Sequence, residues 1–322
     1  MVLFSCLCVK NDSHGKKTER PNAPRWIFEY FFVSLCALFA QTKTTYNMKK
    51  YILPLCLCAI LFGCKQNEPA KIQQVTFNVT TFEQTQQPMR APAATILDDE
   101  GGTALTDIFI FDGTTQVAHQ TSDDAAFGTL TLNLTYGSHS LYFIATRSTG
   151  LSYENGVLSM TSVRSTFCKP LALTVSSSTG AQDVTLDRLN GALVLTINDA
   201  FPANAAEIEF VINPRYSAIN VTNFRGVNGA SWNQRVSCTS KVGQTGVQYT
   251  FNHFAPRTDE EYTADVTLNV YNTGGTVIHS VTIDDVRLAT NTKTLLSGNL
   301  FAAPSASISV SHTWNSNIVG TW

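Results

Sequence analysis

The chain has 322 residues, with 22 Lys and Arg against 24 Asp and Glu and a formal net charge of −2 at pH 7. The part from Cys64 onward holds 14 of the basic and 21 of the acidic residues, about −7 in all. That mildly acidic balance argues against nucleic-acid binding, which rests on Lys and Arg neutralising phosphates.

In chain order, residues 1–47 hold a basic stretch around Lys16, Lys17 and Arg20 and an apolar run from Trp26 to Ala40 broken by Glu29. An export signal should stand at the N-terminus, and one begins at Met48, so residues 1–47 read as an upstream extension. Residues 48–63 have the order of a secretory signal: Lys49 and Lys50, an apolar core from Tyr51 to Phe62, then Gly63. The core is too short for a spanning helix, which needs about 20 apolar residues. Leu61-Phe62-Gly63-Cys64 looks like a lipoprotein lipobox, which makes Cys64 the lipid-attachment residue. Residues 64–71 then read as a short polar, proline-containing tether from membrane to fold.

From residue 72 the hydrophobic period is two. Val75, Phe77 and Val79 alternate with Thr76 and Asn78 and predict a half-buried first strand that closes at Phe82. Residues 83–94 carry Pro88 and Pro92 around Arg90, which predicts an exposed connector with a protease-accessible Arg90–Ala91 bond. Further strands are predicted at Leu105 to Asp112, Gln116 to His119, Leu130 to Leu134, Leu141 to Ala145, Leu171 to Val175 and Val184 to Leu186. Tyr136 to His139 and Ser176 to Gly180 read as turns. The pattern restarts after Arg188, with strands at Leu193 to Ile197, Glu207 to Ile212, Ala218 to Val221, Tyr249 to Phe254 and Ala264 to Tyr271. Val277 to Ile283, Thr294 to Leu300 and a final Ile308 to Trp314 complete the series. A weak helical period appears only at Ala203 to Ala206. Many short strands between turn signals predict an all-β fold of two tandem β-sandwiches, residues 72–188 and 189–322, with one continuous large sandwich as the alternative.

Chemistry-bearing patterns are sparse. His119, His139, His253, His279 and His312 stand at no metal-ligand spacing, so no metal site is expected. Asp98 to Glu100, Asp123-Asp124, Asp259 to Glu261 and Asp284-Asp285 read as solvated turns. No nucleophile elbow or phosphate loop occurs, so neither an enzyme nor a cofactor is expected. Cys168 and Cys238 are either a disulfide pair or two buried thiols. Tyr136, Tyr142, Trp232, Tyr249 and Trp314 are candidate stacking platforms for an alternative function, a glycan-binding surface lipoprotein.

The lipobox ending at Cys64, VTFNVTTF (Val75 to Phe82), DIFIFDG (Asp107 to Gly113) and YGSHSLYFIA (Tyr136 to Ala145) together resemble the Bacteroidales-type fimbrillin family, including its anchor lipoproteins. TLDRLNGALVLTI (Thr185 to Ile197), TKTLLSGNLF (Thr292 to Phe301) and SISVSHTW (Ser307 to Trp314) extend the resemblance to the C-terminus. It implies transthyretin-like sandwiches and a surface-exposed fimbrial subunit of the outer membrane that contributes to adhesion. The implied partners are other fimbrial subunits, the membrane through Cys64, and host or bacterial surface receptors. It also implies cleavage after the first strand in stalk and tip members, where Arg90 matches, and retention of that strand in anchor members. Strand exchange would then pair the groove of Val75, Phe77 and Val79 with a donor carrying Ile308, Val310 and Trp314.

Overall fold

The computed structural model describes residues 70–81, 105–258, 260–302 and the backbone of 317–321. Among these the chain forms nineteen strands, one short 3-10 turn at Thr239–Lys241 and no helix long and apolar enough to cross a membrane. The first half contains β1 (Ile72–Thr81), β2 (Asp107–Asp112), β3 (Thr115–Thr121), β4 (Thr129–Thr135), β5 (Gly137–Thr146), β6 (Ser152–Glu154), β7 (Val157–Ser159), β8 (Thr166–Val175) and β9 (Gln182–Arg188). The second half contains β10 (Gly191–Ile197), β11 (Glu207–Arg215), β12 (Ala218–Asn220), β13 (Gly226–Val227), β14 (Ala230–Ser237) and β15 (Val247–His253). It ends with β16 (Tyr262–Tyr271), β17 (Val277–Leu288), β18 (Lys293–Gly298) and β19 (Asn317–Thr321).

The first seven-stranded sheet runs β3-β2-β5-β8-β9-β1-β4. Only Phe167↔Arg188 and Cys168↔Asp187 join β8 to β9, so the sheet folds over at that seam. Phe77 of β1, Ile110 of β2, Leu132 of β4, Phe143 of β5 and Leu186 of β9 then meet in one apolar core. Alternation explains the layering. In β4, TLTLNLT buries Leu130, Leu132 and Leu134 and exposes the residues between them.

A second sandwich-like arrangement pairs sheet β15-β10-β18-β19 with sheet β14-β11-β16-β17. Leu193, Leu195, Phe210, Val266, Leu268 and Leu296 fill its core. A fourth sheet, β13-β12-β7-β6, takes strands from both halves through Ala218↔Ser159, Ile219↔Leu158 and Asn220↔Val157. A polar seam also crosses between the halves. Asn190 Oδ1 accepts from the Thr166 N–H at 2.9 Å, and Asn190 Nδ2 donates to Asn252 Oδ1 at 2.9 Å. Gly191 begins β10 where a Cβ would stand 2.2 Å from the Ala289 carbonyl oxygen and 2.6 Å from the His253 ring. Only glycine fits that approach.

Several expectations need correction. The predicted turn at Tyr136 to His139 is already strand from Gly137, whose φ of +131° reverses the chain directly. Asp284 and Asp285 sit in a bulge of β17 and not in a turn; register slips opposite Ala264/Val266, and the Asp285 N–H donates to Asp265 Oδ1 at 3.1 Å. Ala203 to Ala206 are not helical, because the Ala205 N–H returns to the Pro202 carbonyl and the Ala206 N–H donates to Tyr271. Cys168 and Cys238 are both free thiols. Burial pushes both thiol pKa values up, which keeps them protonated and unreactive. The predicted strand at Ile308 to Trp314 lies outside the described residues.

Candidate functional site

The strand that the sequence nominates for exchange, β1, occupies a two-sided slot. It pairs antiparallel with β4, placing Phe77 opposite Leu130 and Val75 opposite Leu132. Along its other side it pairs parallel with β9, placing Val79 opposite Val184 and Thr81 opposite Leu186. The sequence IQQVTFNVTT puts β-branched and aromatic residues on every second position, and their side chains all face one way. Val75 and Phe77 are fully buried and Val79 is 3% exposed. The Phe77 ring lies 5.3 Å from that of Phe143 across the core.

The outward face of β1 is polar and lightly tied. Thr76 and Thr131 share a hydroxyl hydrogen bond of 3.1 Å, Asn78 Nδ2 donates to Asp183 at 2.8 Å, and Gln73 Nε2 donates to the Thr179 carbonyl at 3.2 Å. The inner face dominates the energetics. Burying Val75, Phe77 and Val79 contributes roughly 1.5–3 kcal/mol each, about 5–9 in sum. That is of the order of a whole domain's stability, about 5–15 kcal/mol. Taking β1 away would leave β4 and β9 with unpaired backbone edges over an apolar floor, so the slot demands an occupant.

The remaining nominated residues are Cys64, Arg90, Ala91, Ile308, Val310 and Trp314, all outside the described residues. The described C-terminal strand is β19, parallel to β18 at a sheet edge, with Leu295 opposite Val319.

Of the aromatic platforms, Tyr136 is an exposed residue beside the β4–β5 reversal, and Tyr142 packs edge-on to Phe224 at 5.8 Å. Trp314 is outside the described residues. Trp232 and Tyr249 come together in a pocket of about 320 Å³ lined from both halves of the chain. Arg215, which sequence reasoning passed over, lines the same pocket with its guanidinium 4.3 Å from the Trp232 ring centre. An arginine ending the otherwise alternating EIEFVINPR was the available signal.

His119, His139 and His253 are structural, and His312 lies outside the described residues. His119 stacks on Phe109 with ring centres 4.1 Å apart and bonds Asp107 at 2.9 Å. His139 bridges Asp112 at 2.6 Å and the Thr135 carbonyl at 2.8 Å, and the Asp112 hydrogen bond raises its pKa. His253 is buried, and desolvation pushes its pKa down to about 3. Among the described residues no group of three or more His, Cys, Asp or Glu could hold a metal ion.

No protein-family model matches the chain, and no curated protein matches it. Among solved structures it is similar to a candidate adhesin of Bacteroides ovatus, at 11% identity and a TM-score of 0.45, over 69% of this chain and 87% of that one. A candidate cell adhesion protein of Bacteroides eggerthii is similar at 14% identity and a TM-score of 0.42, over 74% of this chain and 90% of that one. The fimbrial anchor protein Mfa2 of Porphyromonas gingivalis is similar at 13% identity and a TM-score of 0.37, over 66% of this chain and 82% of that one.

Proposed function

We propose that the chain is a surface lipoprotein subunit of a fimbria that assembles by β-strand exchange and contributes to adhesion. Lipid on Cys64 would hold it in the outer membrane, where stable anchoring takes more than one acyl chain. An uncut chain that keeps β1 acts as the anchor; a chain cut after Arg90 begins at Ala91 and offers an open slot to a neighbour's strand. The role is one of binding and assembly, not catalysis.

The observation that carries this reading is the seat of β1 between β9 and β4, with Val75, Phe77 and Val79 in the core. A donor must present apolar side chains at alternate positions, and Ile308, Val310 and Trp314 share that spacing. The stretch that follows β1 carries Arg90 between two prolines, so a cut there would free the strand. The test is peptide complementation. A chain beginning at Ala91 should be stabilised by a peptide of residues 307–314 and not by the same peptide with Ile308 and Val310 replaced by Ser. No stabilisation by either peptide refutes the reading.

A further inference from the structure

The pocket of about 320 Å³ lies on the β14–β11 and β15 side of the second core, roofed by Thr161 to Arg164 from the first half. Its position follows from a break in alternation. Along β11, Ile208, Phe210 and Ile212 face inward, and register then slips between Ile212 and Arg215. The slip gives Arg215 the inward place that Pro214 would otherwise hold, which is the usual effect of a β-bulge.

Arg215 is only 6% exposed, and it forms no ion pair with a carboxylate among the described residues. Its Nε and Nη2 both donate to the Asn252 carbonyl oxygen, at 3.1 and 2.7 Å, which fixes the plane of the guanidinium. Nη1 has no hydrogen-bond partner among the described residues, and neither does the buried Tyr249 hydroxyl. Burial raises the Tyr249 pKa to about 12, so the phenol keeps its proton and remains a donor. Buried donors are normally paired, and two unpaired ones on residues lining a single cavity are costly without a ligand. Among the described residues no Asp or Glu lines the pocket, while Arg164 adds a second cation. The walls are aromatic: Trp232 lies edge-on to Phe251 at 5.6 Å, and Tyr249 is tilted against Phe210 at 4.6 Å. Gln234 supplies amide groups beside these rings.

We propose that this pocket binds one acidic sugar residue, a hexuronate-type ring whose carboxylate pairs with Arg215 and the Tyr249 hydroxyl while its apolar face lies against the aromatic walls. Arginine's planar fork suits a carboxylate, and aromatic faces suit the C–H side of a sugar ring. The volume stands at the lower end for ligand pockets, so it takes a single ring and not an extended oligosaccharide. The inference is independent of strand exchange, and its test leaves β1 untouched.

The test compares methyl glucuronide with methyl glucoside by calorimetry and saturation-transfer NMR on the intact chain in detergent. A charge-assisted pair predicts that the glucuronide binds about tenfold or more tightly than the glucoside. Tyr249→Phe keeps the ring and removes a buried hydroxyl that lacks a partner, so it should weaken glucuronide binding while leaving the melting temperature unchanged or higher. Trp232→Ala removes the ring on which the Arg215 guanidinium stacks and should also weaken glucuronide binding. Equal binding of the two glycosides, no saturable binding of either, or a Tyr249→Phe variant that binds glucuronide as tightly as the parent would overturn the assignment.

Discussion

Phe77→Ala tests how firmly β1 is held. The side chain is fully buried, stands opposite Leu130 of β4, and its ring centre is 5.3 Å from that of Phe143. Removing such a ring takes away its transfer free energy and leaves a cavity that the stiff sheet closes only in part, a loss of roughly 3–5 kcal/mol. For a body of this size each kcal/mol lowers the melting temperature by about 2–4 °C, so the midpoint should fall by roughly 6–20 °C. Thr76→Ala is the control on the outer face. It removes one exposed hydroxyl contact of 3.1 Å to Thr131 and should cost no more than about 1 kcal/mol. Urea denaturation with hydrogen exchange across β1 reads both. If Phe77→Ala loosens β1 alone, exchange of its amides should rise by roughly a hundred- to a few-thousand-fold, at tenfold per 1.4 kcal/mol. A Phe77→Ala loss no larger than that of Thr76→Ala would refute the claim that the inner face holds the strand.

His139 and His253 should titrate in opposite directions. The raised pKa of His139 gives stability that is fully present below about 6.5 and is lost as pH rises through its folded value. The depressed pKa of His253 does the reverse: stability is complete above about 6.5 and falls by about 1.4 kcal/mol per pH unit as pH drops toward about 3. NMR titration should find His253 neutral at pH 5 and His139 still protonated above pH 6.5; a normal His253 titration would contradict its burial. For the ends of the chain, intact mass of protein extracted from the native envelope should give diacylglycerol on Cys64 with residues 65–90 retained, or a chain starting at Ala91. A soluble chain that retains residues 48–63 would refute both forms.

Much of the fold was legible because burial in a sheet writes a period of two. β1, β4 and β16 bury alternate residues, as does β10 from Leu193 onward, and the same alternation marks them in the sequence. The strands that escaped notice lack that signal. β14, ASWNQRVS, is an edge strand with mostly exposed residues on both faces, and β6 and β7 are three residues each. The β5 start was missed because Tyr136-Gly137-Ser138-His139 has turn composition, yet Gly137 makes the reversal alone and His139 faces Asp112 from within the strand. Arg215 was missed for a related reason. A bulge shifts the phase of β11 by one residue, and period counting cannot place a side chain beyond such a slip. Trp232 and Tyr249 were recognised as aromatic candidates, but only the paired sheets bring them to one pocket.

The central claim is that the slot between β4 and β9 accepts a strand from another subunit. The most direct measurement is hydrogen exchange on a chain beginning at Ala91, with and without the peptide of residues 307–314. Strand exchange predicts that amides of β4 and β9 facing the slot exchange quickly in the shortened chain and regain protection when the peptide is added. Protection that is already complete without peptide, or that the peptide never restores, would contradict it.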